Sequence, residues 1–451
     1  MSIYSLKEIL DATDGRLISR GPDIFTGLSI DSRTISDGEL FIALRGERFD
    51  GHDFLDSALE KGGGAVVSYP PVLKPHGKSI IYVSNTLRAL QSVARERRLS
   101  RSTEVVAVTG TNGKTTTKEM TASVLSRRYR VLSSKGNLNN QIGLPLSLGH
   151  LNGEDIAVLE MGASREGDIR ELCEIALPDA GVITNVSMAH LEGFGSLEKV
   201  KRTKLELLSF IKTLFINCSD PNLTDVPDQF RKSGGTVVTY GINPECDVWA
   251  EDVEFSPQGT RFSLHDGTGR TGRVSLRVLG EFNVMNALAA SAVALWKGLD
   301  IREITEGLSE FPGVTMRVEV REFSGATLIS DLYNANPASM EEAVKELIRI
   351  KDRRAVAVLG DMLELGAYGE EAHKKLGRWI AGLPVDVLIT VGDLTRYTHT
   401  AFMESNGKGR KAVHIESADK ARDVLREIVE EGDTILVKGS RGMRMERVIE
   451  A

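Results

Sequence analysis

The stretch Val105–Met120 constrains the fold more than any other part of the chain. It reads VVAVTGTNGKTTTKEM: an apolar run, a turn with two glycines, then a lysine and three threonines where a helical pattern starts. The apolar, β-branched run is typical of a buried strand in a parallel sheet. Strand, glycine turn, Lys-Thr pair and helix together predict a phosphate-binding loop.

The chemistry of such a loop explains its composition. Glycines let backbone N–H groups approach phosphate oxygens, and the start of the helix adds partial positive charge. We expect Lys114 to reach the outer phosphates of ATP and the Thr115 hydroxyl to hold Mg²⁺. A corner whose glycines serve only the turn is the alternative, but it does not explain the lysine and the threonines. The predicted ATP-binding residues of the loop are Gly110, Thr111, Asn112, Gly113, Lys114, Thr115 and Thr116.

Length and composition limit the classes of protein that need to be considered. A chain of 451 residues predicts about three domains. The net charge of −7 argues against nucleic acid as the main partner. No apolar run approaches the roughly 20 residues that a membrane-spanning helix needs, so we expect no membrane insertion. The three cysteines form no CxxC pair, and we expect them to be reduced in a cytoplasmic protein.

Three blocks follow from the pattern of strands, helices and breaks. The predicted domains are 1–100, 101–311 and 312–451, and Phe311-Pro312-Gly313 marks the second boundary. The first block mixes short strands and helices, and it carries a polar cluster at Asp31, Ser32 and Arg33. On residue types alone, turn chemistry and solvated charge account for this cluster.

The second block alternates buried strands with helices, which predicts a parallel sheet. In such sheets ligands lie outside the carboxyl ends of the strands. Glu160 ends one predicted strand, and His190 follows another, so both are expected near the phosphate loop. The segment 137–141 holds four amides and suits either a polar ligand or a turn. Asn283 and Asn286 share one face of a helix start, as caps or as ligand contacts.

The third block again alternates strands with helices, and it has no GxGxxG loop. It predicts a Rossmann-like sheet whose first strand ends at Asp331. The predicted fold class is therefore α/β with three domains: a small N-terminal α/β domain, a central sheet of the P-loop ATPase type and a C-terminal Rossmann-like domain.

Taken together, these residues resemble the Mur ligase family, the ATP-dependent amide-forming ligases of peptidoglycan synthesis, over essentially the whole chain. The family motifs occur in order: GTNGKTT at 110–116, Glu160, Asn185 with His190, Lys204, and Asn283 with Asn286. Lys204 lies 204 − 190 = 14 residues after His190, as the family pattern requires.

The resemblance also implies roles for individual residues. In the family, the lysine at the position of Lys204 is carbamylated and completes a metal site with the histidine and the glutamate. The implied metal ligands are Thr115, Glu160, His190 and Lys204. The implied catalytic residues are Lys114, His190 and Lys204. Asn283 and Asn286 are implied ATP contacts, and Arg317 and Asp331 match C-terminal contacts to the nucleotide. Without the family, the basic segment around Lys204 favours a solvated lysine.

Three stretches resemble one branch of the family, the enzymes that add D-alanyl-D-alanine to UDP-N-acetylmuramoyl-tripeptide. They are residues 29–54, DLYNANPASM at 331–340 and VLGDMLELG at 358–366. The branch that adds the third peptide residue usually has a DNPR-like motif, which this sequence lacks. Leu332 stands where a serine is common. Folylpolyglutamate synthase shares the phosphate loop but lacks this kind of N-terminal block.

This resemblance implies substrates, cofactors and a binding surface. The cofactors are two Mg²⁺ ions and a carbamylated Lys204, with ATP as phosphoryl donor. The partners are small-molecule substrates, with no nucleic acid, and a cytoplasmic monomer is expected. The residues expected to bind the UDP substrate are Asp31, Ser32, Arg33, Asn137 and Asn140. A non-enzymatic nucleotide-dependent switch is the opposing hypothesis, and it would need no second metal site.

Overall fold

Alternating apolar runs and amphipathic helical patterns produce three successive α/β units in the structure, a computed structural model that describes residues 3–69, 77–189, 191–405 and 410–450. The predicted fold class is confirmed. The boundaries near residues 100 and 311 stay predictions. No described helix is both long and apolar enough to cross a membrane.

The N-terminal unit has a five-stranded sheet in the order β2-β7-β6-β5-β4 and a separate β1–β3 pair. Its strands are β1 (Tyr4–Ser5), β2 (Arg16–Ser19), β3 (Ile24–Phe25), β4 (Leu28–Ser29), β5 (Leu40–Ile42), β6 (Gly64–Val67) and β7 (Ser79–Tyr82). Its helices are α1 (Leu6–Thr13), α2 (Leu55–Lys61) and α3 (Thr86–Leu99). A Ser5–Glu8 capping box starts α1, and α3 packs on the central unit.

The central unit is a nine-stranded sheet in the order β16-β15-β14-β13-β12-β11-β8-β10-β9. Its strands are β8 (Glu104–Thr109), β9 (Val131–Ser133), β10 (Ile156–Glu160), β11 (Ala180–Ile183), β12 (Thr213–Asn217), β13 (Thr236–Gly241), β14 (Val248–Ser256), β15 (Gly259–Asp266) and β16 (Thr271–Leu276). Strands β8 to β13 run parallel, so their carboxyl ends meet at one edge. Strands β14 to β16 form an antiparallel meander that extends this same sheet.

Helices cover both faces of the central sheet. They are α4 (Lys114–Leu125), α5 (Gly143–Gly149), α6 (Asp168–Ala176), α7 (Leu191–Phe194), α8 (Leu197–Leu205), α9 (Val226–Lys232), α10 (Glu281–Trp296) and α11 (Ile301–Glu310). The buried alanines of α10 let it lie close against α4, the helix that follows the phosphate loop. This contact places the first turn of α10 beside the loop.

The C-terminal unit is a six-stranded sheet in the order β17-β18-β22-β19-β20-β21, antiparallel only at β17. Its strands are β17 (Glu319–Phe323), β18 (Ala326–Asp331), β19 (Ala355–Gly360), β20 (Val387–Val391), β21 (Lys411–Ile415) and β22 (Thr434–Lys438). Its helices are α12 (Pro337–Ile350), α13 (Gly369–Ala381), α14 (Thr395–Ser405) and α15 (Ala418–Ile428). Short 3-10 turns cover Gly51–Phe54, Glu206–Ser209, Gly366–Tyr368, Arg441–Met443 and Met445–Val448.

The cysteines differ from the sequence-based expectation. Cys218 and Cys246 are paired in a disulfide, with their Cα atoms 6.4 Å apart, whereas Cys173 is free and buried. The expectation of three reduced thiols is therefore wrong for two of them. The pair is 28 residues apart in sequence and links the end of β12 to the segment before β14 across Gly241, at the end of the intervening strand β13.

Candidate active site

The candidate active site lies along the carboxyl edge of the central sheet. Because β8 is flanked by β10 and β11, the phosphate loop after β8 lies between Glu160 on one side and the segment 184–187 on the other. The amide-rich segment 134–141 follows the edge strand β9. A cleft of about 620 Å³ runs over this edge, and residues of the C-terminal unit close its far wall.

Two glycines of the phosphate loop are required by its geometry. Gly110 and Gly113 have φ angles of 144° and 80°, which residues with a side chain rarely adopt. A Cβ at Gly110 would lie 2.0 Å from the Thr184 Oγ1, and one at Gly113 would lie 2.4 Å from the Asn286 Oδ1. The loop therefore forms a cradle of bare backbone at the start of α4, which fits nucleotide phosphates.

The segment after β11 holds the loop in place. The Thr111 N–H donates to the Asn185 carbonyl oxygen at 2.9 Å, and the Asn112 N–H donates to the Asn185 Oδ1 at 3.1 Å. The Thr184 hydroxyl donates to the Asn112 carbonyl oxygen at 2.6 Å. The Ser187 N–H donates to the Thr111 hydroxyl at 3.0 Å. These residues position the loop, and only Asn185 had a sequence signal, through its motif.

Lys114 turns back over the loop. Its Nζ donates to the Thr111 carbonyl oxygen at 2.8 Å. Burial lowers the pKa of Lys114, Glu160 opposes that shift, and the Arg317 guanidinium adds to it. A phosphate bound in the loop would supply the anion that this ammonium lacks.

Thr115 and Glu160 bring two hard oxygens together. The Thr115 hydroxyl donates to the Glu160 Oε2 at 2.8 Å, and the Asn139 side-chain amide donates to the Oε1 at 2.7 Å. Glu160 is buried yet faces the cleft. Among the described residues no cluster of three His, Cys, Asp or Glu side chains could hold a metal ion. The pair fits Mg²⁺, which usually takes one or two protein oxygens plus phosphates and water.

Lys204 is buried, unlike its basic neighbours on α8. Its residue is 3% exposed, whereas Lys199 and Arg202 reach out to Glu166. Burial, and then the charge of Lys114, lower the pKa of Lys204 to about 7. Within the described part of the chain, no group hydrogen bonds to its Nζ, which lies 5.8 Å from the centre of the Phe194 ring. A buried amine with a low pKa fits carbamylation, which requires the neutral form.

His190 lies outside the described residues, so its predicted place beside Glu160 and Lys204 stays a prediction.

Asn283 and Asn286 form a buried amide chain behind the loop. The Asn286 side-chain amide donates to the Asn283 Oδ1 at 3.1 Å, and its own Oδ1 accepts from the Thr117 hydroxyl at 3.1 Å. The Asn283 amide donates to the Leu279 carbonyl oxygen at 2.6 Å. Both residues line the cleft, and their bonds tie α10 to α4.

The C-terminal unit supplies the opposite wall of the cleft. Arg317 lies over the Tyr333 ring, with its guanidinium carbon 3.8 Å from the ring centre. Asp331 pairs with Lys438, a buried lysine at the end of β22. The Asn336 side-chain amide donates to the Asn112 Oδ1 at 2.7 Å and so joins this unit to the phosphate loop. Lys438 and Asn336 were not among the predicted site residues, although Asn336 lies in the motif at 331–340.

The predicted UDP-binding residues do not all line the cleft. Asp31 and Arg33 form a bidentate ion pair on the N-terminal unit, which holds the pKa of Asp31 at about 2. Asp31, Ser32 and Arg33 do not line the cleft, whereas Asn137 and Asn140 do. The Asn140 Oδ1 accepts from the Gly143 N–H at 2.9 Å and so supports the start of α5. The role of all five residues stays a prediction.

Comparisons with known proteins agree with this geometry. Residues 24–98 match a family profile described as "Mur ligase family, catalytic domain", residues 108–294 match "Mur ligase middle domain", and residues 316–441 match "Mur ligase, glutamate ligase domain". The UDP-N-acetylmuramoyl-tripeptide–D-alanyl-D-alanine ligase of Bacillus subtilis is 37% identical over 99% of this chain and 97% of its own length.

Solved structures of ligases named MurF also superimpose on this chain. A crystal structure of MurF from Acinetobacter baumannii aligns with a TM-score of 0.89 at 32% identity, over 99% of this chain and 98% of that one. The structure of MurF ligase from Thermotoga maritima, solved in complex with ADP, aligns with a TM-score of 0.82 at 31% identity. The alignment covers 94% of this chain and 96% of that one.

The fold and the cleft define a three-domain ATP-dependent ligase whose phosphate loop faces a second α/β domain. The chain belongs to the Mur ligase family.

Proposed function

We propose that this ligase joins D-alanyl-D-alanine to UDP-N-acetylmuramoyl-tripeptide in peptidoglycan precursor synthesis. Near full-length similarity to ligases named for this reaction carries the proposal. The cleft supports its chemistry, because cationic side chains from two domains face the phosphate loop. We also propose that the enzyme acts as a cytoplasmic monomer on small molecules.

The reaction needs an activated carboxylate. The γ-phosphoryl group of ATP passes to the tripeptide carboxylate and gives an acyl phosphate and ADP. The D-alanyl-D-alanine amine then attacks the acyl carbon, and phosphate leaves. Because two anions must approach each other in the first step, neutralisation of charge dominates catalysis. Lys114, which lies in the loop, would supply positive charge to the phosphates.

Two Mg²⁺ ions and a carbamate complete the proposed site. Thr115 and Glu160 would hold one ion, and Glu160, His190 and carbamylated Lys204 would hold the other. Such ions neutralise developing charge on transferring phosphoryl groups. Carbamylation converts Lys204 from a cation into an oxygen ligand, so it suits a hard metal.

A panel of amines tests the choice of substrate. With UDP-N-acetylmuramoyl-tripeptide as acceptor, D-alanyl-D-alanine is expected to stimulate phosphate release from ATP strongly, because the relatives are named for this pair. Glutamate with a folate acceptor is expected to give none. Better turnover with diaminopimelate and a UDP-N-acetylmuramoyl-dipeptide would move the chain to the third-residue branch and leave the ligase mechanism intact. ATP hydrolysis independent of acceptor and amine would favour the switch hypothesis.

Domain movement is a second expectation. The predicted ATP contacts are split between the loop at 110–116 and the pair Arg317 and Asp331. The units that we expect to move are residues 1–100, 101–311 and 312–451. Binding of both substrates should therefore draw the units together. Small-angle scattering with and without an ATP analogue plus UDP-tripeptide should show a smaller radius of gyration in the complex. Superimposable profiles would contradict this expectation.

A further inference from the structure

Lys118 is a buried lysine that the proposed mechanism does not use. It lies on the second turn of α4, one turn beyond the phosphate loop, and its residue is 0% exposed. A buried ammonium is costly unless each of its N–H groups finds an acceptor. A residue kept at such cost must hold something in place.

The ammonium group of Lys118 has three oxygen partners, two through hydrogen bonds and one through an ion pair. The Nζ donates to the carbonyl oxygen of Ser134 and, at 3.3 Å, to that of Gly136. Its third partner is the Glu119 Oε1 at 2.7 Å. Both hydrogen bonds therefore reach the backbone just after β9, where the amide-rich segment begins.

The segment 134–141 is held at further points. The Asn139 carbonyl oxygen accepts from the Gly162 N–H at 2.8 Å, and its side-chain amide donates to Glu160. At its far end, the Gln91 side-chain amide of the N-terminal unit donates to the Gln141 carbonyl oxygen at 3.2 Å. Lys118 is the anchor at the start of a segment that spans from β9 to the N-terminal unit.

The place of this segment indicates which substrate it meets. Along the sheet edge, the phosphate loop is supported by the segment after β11, whereas 134–141 lies on the other side of Glu160. Asn137 also lines a second cavity, together with Tyr333, Asn334 and Arg441 of the C-terminal unit. The segment therefore lines the cleft on the side of Glu160 away from the phosphate loop, in the part of the cleft that a nucleotide held by the loop leaves to the acceptor.

We propose that Lys118 is a positioning residue that fixes the amide-rich segment 134–141 for binding of the UDP-linked peptide acceptor. This rests on the proposed function for the identity of the acceptor. Lys118 touches neither substrate: it acts through the carbonyl groups of Ser134 and Gly136, which set the direction of the amides that follow.

Steady-state kinetics of Lys118→Met test the proposal. The variant keeps the apolar stem and removes all three donors. KM for UDP-N-acetylmuramoyl-tripeptide is expected to rise about tenfold or more, as for loss of a hydrogen bond to a charged group, while KM for ATP changes less than about twofold. Lys118→Gln, which retains two N–H donors, is expected to fall between Met and wild type.

Thr121→Val is the matched control. Thr121 lies on the same helix and is equally buried, but among the described residues its hydroxyl bonds only to the Thr117 carbonyl oxygen of α4, at 2.7 Å. Its kinetic constants are expected to match those of the wild type. Equal changes in both KM values for Lys118→Met, or changes no larger than those of Thr121→Val, would reduce Lys118 to a structural role. If the Met variant does not fold, the Gln variant decides between the same outcomes.

Hydrogen exchange gives a readout that does not depend on the substrate. In the free enzyme, amides of 134–141 are expected to exchange faster in the Lys118 variants than in Thr121→Val, with other segments of the sheet edge unchanged. Unchanged exchange there would overturn the proposal. A wild type that does not turn over D-alanyl-D-alanine with UDP-tripeptide would instead overturn the proposed function, whatever the exchange shows.

Discussion

Lys114→Ala is expected to lower the rate of phosphate release about a thousandfold, the scale of losing one preorganised group that stabilises transition-state charge. Lys114 is the cation of the phosphate loop, and its Nζ now contacts only the loop carbonyl of Thr111 in the described residues. Acyl phosphate formation brings a carboxylate against the γ-phosphate, so loss of this charge acts on the chemical step. The measurement is turnover at saturating ATP, UDP-tripeptide and D-alanyl-D-alanine.

The same variant is expected to keep its fold. Burial lowers the pKa of Lys114, which means that the folded protein disfavours its charged form, so removal of the charge should not lower the melting temperature. Lys420→Ala is the control, because Lys420 is an exposed lysine of α15 that pairs with Glu416, and neither residue lines the cleft. It should be active. Turnover of Lys114→Ala close to wild type, with normal affinity for ATP, would remove Lys114 from the mechanism.

The parts of the site that sequence could predict are local. The loop at 110–116 and helix α4 follow from a strand, two glycines and a helix start within sixteen residues, and α4 begins at Lys114 as expected. Glu160 was placed correctly for the same reason, because it ends a buried strand next to the loop strand in a parallel sheet. Buried parallel strands of this type can be predicted from apolar runs in the sequence.

Contacts that depend on tertiary structure were not predictable. The Asn336 bond to Asn112 joins residues 224 positions apart, and the Cys218–Cys246 pair depends on the strand order. The sequence around Lys118 is typical of an exposed helix lysine, and it does not indicate that the side chain is buried against backbone carbonyl groups. Neither hydrophobic periodicity nor a local motif in one sequence shows which distant backbone group a side chain will contact.

Helix α14 could not be predicted from its local sequence, because its cap is not local. Its first turns, TRYTHT, are rich in threonine, which has weak helix propensity. The carboxylate of Asp361, after β19, accepts from the N–H groups of Asp393, Leu394 and Thr395 at 3.0, 3.0 and 2.7 Å. These bonds satisfy donors that the start of a helix otherwise leaves unpaired, so a residue more than thirty positions away helps to start the helix.

Lys204→Ala is expected to lose activity about a hundredfold or more and to regain part of it when acetate is added. The structure buries Lys204 without a hydrogen-bond partner among the described residues, and its low pKa favours the neutral amine that carbamylation requires. If the carbamate supplies an oxygen ligand to a metal, loss of the side chain leaves both a ligand position and a space open. A small carboxylate can fill both, which restores a hard oxygen in place of the carbamate.

The measurement is phosphate release by Lys204→Ala over a series of acetate concentrations at constant ionic strength, with chloride as the reference salt. Lys199→Ala is the matched control: Lys199 lies on the same helix, is half exposed and pairs with Glu166. It should remain active and should not respond to acetate. Full activity of Lys204→Ala without acetate would contradict a role in the site. If Lys204→Ala is inactive and acetate does not restore activity, Lys204 has a structural role and the argument for a carbamate fails. The reason is that a site that needs only an oxygen ligand should accept one from solution.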